Sequence, residues 1–134
     1  MSVFSKKFTI VTQRPGDMVD LTHHIEGIVS SSGIKHGIVH VFAPHATAVF
    51  ALTEFEPDLK RDIGTLLDQL TPVSSQWHHP SNAHSHLRSM LIPPDRTLPV
   101  RDGHLITGTW QSLFFIETGL SGRRVNIEAT VIGE

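Results

Sequence analysis

RRVNIEATVI, residues 123–132, sets Val125, Ile127, Ala129 and Val131 alternately against Arg124, Asn126, Glu128 and Thr130. A period of two puts the apolar side chains on one face of a strand and the polar ones on the other, the pattern of an antiparallel sheet with one wet face. The other end of the chain repeats it: in residues 3–12, Phe4, Phe8 and Ile10 are separated by Ser5, Lys7 and Thr9. Between these two strands, residues 37–43 and 46–53 are rich in Val, Ile, Phe and Thr and are broken by Pro44, so they read as two more strands. Further strand-like stretches fall at 84–92, 97–100, 104–109 and 111–117.

Two segments carry the helical period instead. Leu21, Ile25, Ile28 and Val29 fall at i, i+4, i+7 and i+8, with Asp20 placed as an N-cap and Gly33 as the stop. In the second, Pro57 sits in the first turn, Leu59, Ile63, Leu66, Leu67 and Leu70 form the stripe expected to be buried, and Pro72 ends it. Glu56 or Asp58 is expected to cap that helix. Thr71 to Asn82 is polar and aperiodic and reads as a surface loop. Two helices among about eight strands, without a βαβ rhythm or an internal repeat, define an α+β fold: one domain over residues 1–134, mostly antiparallel and sandwich-like.

Composition narrows the chemistry. The chain has 134 residues, with 11 Lys plus Arg against 13 Asp plus Glu, a formal net charge of −2 that offers no field for holding a nucleic acid. Cysteine is absent, which excludes disulfides, thiolate metal sites and cysteine nucleophiles. No apolar run approaches the roughly 20 residues of a membrane span, and MSVFSKKF lacks the apolar centre of a signal peptide, so a cytoplasmic protein without a membrane partner is expected. Neither the phosphate-binding nor the dinucleotide-binding glycine pattern is present, nor a G-x-S-x-G elbow.

Histidine stands out, with ten residues at 23, 24, 36, 40, 45, 78, 79, 84, 86 and 104. In Pro44-His45-Ala46-Thr47-Ala48 the alanines leave room beside His45 and Thr47 for a ligand. His84 and His86, in an extended segment, would share a face and reach one cation; His45 with two of the 78–86 group would make the three protein ligands typical of a catalytic divalent site. Imidazole suits Zn, Ni, Cu and Fe alike. Glu54 ends the strand that begins beside His45 and is the candidate base. In Gly108-Thr109-Trp110-Gln111 the indole reads as core or as a stacking wall, with Thr109 and Gln111 orienting a ligand. Arg123 and Arg124, after Gly122, are candidates for gripping phosphate, although adjacent arginines on a strand point to opposite faces.

PHATA at 44–48, EPDLKRDI at 56–63, NAHSHLRSMLI at 82–92, GTWQSLFFIE at 108–117 and the closing RRVNIEATVIGE together resemble the YjbQ family, often labelled secondary thiamine-phosphate synthase. Its signatures fall on His45, on Glu54 with Pro57 and Asp62, on His79 and His86, and on Gly108 to Gln111 with Glu117. Ala46 stands where the family usually has Thr, and TEFEPD is one residue shorter than the usual motif. The resemblance implies a homotrimer with a histidine-lined pocket near the subunit interfaces. It selects His45, His79 and His86 as ligands of a divalent metal, zinc by preference or magnesium with a diphosphate. The implied reaction joins a pyrimidine-methyl diphosphate to a thiazole phosphate and releases pyrophosphate. Glu54 and His45 would be catalytic; Thr47, Arg88, Thr109, Trp110, Gln111 and Arg124 would bind the small phosphorylated heteroaromatic substrate. Two other functions fit the same residues: metal-assisted hydrolysis of the diphosphate, and binding of a metabolite or metal without catalysis.

Overall fold

A computed structural model describes all 134 residues. In chain order the elements are β1 (Ser2–Val11), β2 (Met18–Asp20), α1 (Thr22–Ser32), β3 (Gly37–Phe42), β4 (Phe50–Thr53), α2 (Pro57–Leu70), α3 (Ala83–Leu91), β5 (Asp95–Arg101), β6 (His104–Leu105), β7 (Ser112–Ile116) and β8 (Arg124–Gly133). β8 lies inside a five-stranded sheet of order β1-β8-β3-β5-β6, and a second sheet runs β2-β7-β4. Every pairing is antiparallel. Because β8 is bonded on both edges, its apolar row must go into the core, and Val125, Ile127, Ala129 and Val131 are all buried.

The main core fills the space between the two sheets: Val39 and Val41 of β3, Leu98 of β5 and the β8 row meet Phe50 of β4 and Leu113 and Phe115 of β7. α1 closes one side with Ile25, Ile28 and Val29. Its chain stops at Gly33, which takes φ 71°, a left-handed conformation that costs glycine little. The opposite face of the small sheet, through Val49, Ala51, Phe114 and Ile116, is covered by Leu67 of α2. No helix is long and apolar enough to cross a membrane.

Several expectations are corrected. Residues 84–92 are not a strand: Ala83–Leu91 form α3, whose inward positions are Ala83, His84, Ser85, Arg88 and Ser89. That spacing is helical, but polar residues carry it, so hydrophobic periodicity could not reveal it. On a helix His84 and His86 diverge, and only His84 is buried. The stripe of α2 is less covered than expected, since Leu66 and Leu70 are exposed and only Leu67 is buried. Glu56 is the cap of α2, accepting from the amides of Asp58 at 3.0 Å and Leu59 at 2.8 Å. Asp20 bonds the amide and hydroxyl of Thr22 from one position before the N-cap, Leu21. The strand read at 46–53 begins only at Phe50, and the one read at 104–109 ends at Leu105. Gly108 to Gln111 is a turn ahead of β7 with Trp110 at 74% exposure, so the indole is not core.

Candidate functional site

Four segments meet at Glu117, directly after β7. Its carboxylate is 1% exposed as a residue, and such a group is costly to bury unless it is paired and bonded. It is both: Oε1 accepts from Thr12 Oγ1 at 2.7 Å and Arg123 Nε at 3.1 Å, and Oε2 from the Gly119 amide at 2.8 Å. Thr12, itself buried, also receives the Arg123 amide on its hydroxyl at 2.9 Å. Gly122 makes this junction possible, since a Cβ there would lie 2.4 Å from the Thr12 carbonyl oxygen.

From this knot the Arg123 guanidinium extends Nη2 towards the Thr47 carbonyl at 3.4 Å, which Thr118 Oγ1 also reaches at 3.0 Å. The Arg123 side chain is 29% exposed, and no protein group accepts from its Nη1. His45 stands in the adjoining bend between β3 and β4. The Asn126 amide donates to its Nε2 at 3.0 Å, so Nε2 holds the lone pair and the neutral ring carries its proton on Nδ1. Partial burial, and then the neighbouring Arg123 guanidinium, hold the His45 pKa below the ordinary imidazole value. The result is a neutral N–H donor near a cationic donor, the latter fixed in direction by a buried carboxylate. A cleft of about 310 Å³, lined in part by Lys7, Thr9, Pro44 and Asn126, lies alongside.

His79 and His86 do come together, with ring centroids 4.8 Å apart and His79 Nε2 3.1 Å from Asn82 Oδ1. With Trp77, Ala83 and Leu87 they border a separate cleft of about 370 Å³. His45 is not grouped with them, and no set of three or more His, Asp or Glu side chains is arranged to hold a metal ion. Coordination through His45 Nε2 would also displace the Asn126 amide. Within one chain, therefore, a site made of His45, His79 and His86 does not fit.

The remaining candidates scatter. Glu54 is exposed and makes no hydrogen bond to His45. Thr47 enters the site through its carbonyl rather than its hydroxyl. Arg88 is buried and turned inward, bonding Thr71 Oγ1 at 2.9 Å, Thr71 O at 3.0 Å and Asp68 at 3.0 Å. Gln111 closes its own turn by accepting the Gly108 amide at 2.8 Å, and Thr109, Trp110 and Gln111 face solvent. Arg124 is exposed on the face of β8 opposite the core, while its neighbour Arg123 supplies the bonded guanidinium. The sequence ties Glu117 only to the end of a motif, and Thr12 to nothing; a buried acid next to an arginine six residues on is a contact of the fold.

The model of the family described as UPF0047 protein YjbQ-like matches residues 6–134. A UPF0047 protein of Methanothermobacter thermautotrophicus is 37% identical over 131 residues, covering 95% of this chain and 92% of its own. One from Methanocaldococcus jannaschii is 33% identical over 96% of this chain and 94% of its own. Among solved structures, a YbjQ-like protein of unknown function from Sulfolobus solfataricus superposes with a TM-score of 0.94 at 36% identity, covering 99% of both chains. A hypothetical protein from Aeropyrum pernix gives 0.91 at 34% identity, over 98% of this chain and 99% of the other.

Proposed function

This chain belongs to the UPF0047 family of YjbQ-like proteins, and on that footing we propose that it binds the phosphate or diphosphate of a small heteroaromatic metabolite between His45 and Arg123. One observation carries the reading: Nδ1–H of His45 and Nη1 of Arg123 are hydrogen-bond donors without protein partners, and both side chains are anchored from behind. Charge-assisted donors fixed before the substrate arrives are what a developing phosphate charge requires.

The reaction we propose is transfer of a pyrimidine-methyl group. The bond from the methylene carbon to the diphosphate oxygen breaks, its electron pair leaves on that oxygen, and the thiazole nitrogen of the second substrate forms the new bond to carbon. Arg123 stabilises the departing diphosphate and His45 donates to it. Glu54, exposed and unbonded to His45, is given no step. A divalent ion, zinc or with a diphosphate magnesium, is proposed at the pair His79 and His86; a third ligand from His45 would have to come from a second copy of the chain. The exposed Leu66, Leu70, Trp77, Met90 and Leu91 support assembly of copies, for which we propose the homotrimer.

Incubation with the pyrimidine-methyl diphosphate, with and without the thiazole phosphate, tests the reaction. Pyrophosphate released only when both are present, and slowed about 100-fold or more in Arg123→Lys, is the expected result. Release from the diphosphate alone replaces transfer by hydrolysis; saturable binding without turnover reduces the function to binding. Elemental analysis of untagged wild type and His86→Ala tests the ion, since a metal-free wild type removes it from the scheme. Light scattering gives the number of copies.

A further inference from the structure

β1 closes one edge of the larger sheet, and β8 is its only strand neighbour. Which backbone groups that pairing uses follows from one bond just past its end, from the Thr12 amide to the Arg123 carbonyl at 2.9 Å. Hydrogen-bonded pairs of an antiparallel ladder recur at every second residue, so Phe4, Lys6, Phe8 and Ile10 turn theirs to β8. Val3, Ser5, Lys7, Thr9 and Val11 turn both N–H and C=O outward; all five residues are exposed, and no protein group bonds their backbone. At about 3.4 Å per residue this open ladder runs for about 27 Å. Edge strands are commonly shortened, bulged or broken by proline, because an open ladder is a template for another strand. β1 has none of these: its register with β8 is unbroken from Ser2 to Val11, and it contains no proline.

Between this strand and α1 lies a groove of about 350 Å³, lined by Phe4, Lys6, His23, Gly27, Ile28 and Ser31. The Phe8 and His24 rings, 4.1 Å apart, hold the helix against the strand. Gly27 sits in the middle of α1, where glycine weakens a helix, yet a Cβ there would meet nothing within 4 Å. Packing inside the chain does not call for the missing side chain, and its absence leaves the groove open. Lys6 shares the core-facing row of Phe4 and Phe8 but is exposed, and Lys7 points to the outer face. Neither lysine has a carboxylate within ion-pair distance, not even Glu128, which lies opposite Lys7. The acids around α1 are engaged, Asp20 by Thr22 and Glu26 by His104 and the Leu105 amide. A second copy of β1 does not suit this edge. The two-fold antiparallel registers centred on the strand set Lys6 against Lys6 or Lys7 against Lys7, and like charges directly opposite repel.

We propose that β1 receives an extended acidic segment of a partner protein as a sixth strand of the larger sheet. The segment bonds the outward backbone groups of Val3, Ser5, Lys7, Thr9 and Val11, sets carboxylates against Lys6 and Lys7, and places an apolar side chain in the groove against Gly27 and Ile28. The site does not rest on the reaction proposed at His45 and Arg123.

The test uses the full ¹⁵N-labelled chain and three capped peptides: VTVEEVTV, VTVKKVTV with the charge reversed, and VPVEEVPV, whose prolines remove a donor from each edge. VTVEEVTV should bind once per chain and slow hydrogen exchange at the Val3, Ser5, Lys7, Thr9 and Val11 amides. Both control peptides on wild type, and VTVEEVTV on Lys6→Glu, should bind at least about tenfold more weakly. Gly27→Leu, which fills the groove, should keep an undiminished melting temperature and bind VTVEEVTV as weakly as Lys6→Glu does. Lys7 and Thr9 also border the cleft beside His45, so His45→Gln is the control for that cleft and should leave the affinity unchanged. Unchanged exchange at the five amides on saturation overturns the proposal, and so does their protection in the free chain, which would mean that another copy already covers the edge. Equal binding of VPVEEVPV overturns strand addition, and equal binding of VTVKKVTV overturns the charge match. Full affinity in Gly27→Leu overturns the groove, and weakened binding in His45→Gln assigns the peptide to the other cleft and overturns this one.

Discussion

Trp110 and Glu117 stand seven residues apart at the two ends of one motif, GTWQSLFFIE, and the fold treats them in opposite ways. The turn that carries Trp110 is closed by a single side chain of its own, Gln111, and holds the indole 74% exposed. Glu117 is enclosed by Thr12 just after β1, by the loop after β7 and by Arg123 just before β8, with donors on both oxygens. The difference separates two kinds of candidate residue. One is pre-organised by its own chain, the other can act only against something the chain does not supply, a ligand or another copy.

The sharpest way to break that contrast is to unpair Glu117. Arg123→Met leaves a fully buried carboxylate without its cation and should cost about 3–5 kcal/mol in urea unfolding. Glu117→Gln should cost less, because the guanidinium left behind is partly solvated; the reverse order would mean that the pair does not organise the junction. Gly122→Ala comes next, since its Cβ would meet backbone rather than a flexible side chain. About 1–3 kcal/mol is expected, with loss of ligand binding at His45 and Arg123.

A smaller effect is read from pH. The His45 and His84 pKa values lie below the ordinary 6.5 when folded, so the unfolded chain binds these protons more readily. Stability contributed by the two rings is complete above about 6.5 and falls as pH drops through the interval down to their folded values. Unfolding of wild type and His84→Phe between pH 7 and pH 5 checks this, and an equal slope in the two proteins refutes the part given to His84. The smallest change belongs to Trp110→Ala, which should alter stability by less than about 0.5 kcal/mol. A larger loss at low protein concentration would place the indole in contacts within the chain, whereas a loss seen only through assembly would assign it to an interface.

What could be read from the sequence follows the same division. β8, β1 and α1 declare themselves because their buried faces are apolar and periodic. α3 does not, because its inward face is His84, Ser85, Arg88 and Ser89. The motif residues His79 and His86 meet in space, but the metal triad with His45 does not close within the chain. His45 could be singled out by its small neighbours, while its partner nitrogen, the Asn126 amide, lies 81 residues away. The choice between Arg123 and Arg124 turns on which side of the first β8 residue a guanidinium faces, a matter of register that alternation alone leaves open.

The pairing of β1 with β8 has a consequence for how the molecule is made. Ser2 lies opposite Gly133 and Val11 opposite Arg124, so the first strand waits for the last before a single bond of that ladder can form. On a ribosome nearly the whole domain must emerge before the larger sheet can close, and contacts this distant in sequence place folding toward the slow end, about milliseconds to seconds. Until then the apolar row of β3 lacks its β8 neighbour, and nascent chains are exposed to mispairing for the time it takes to synthesise them.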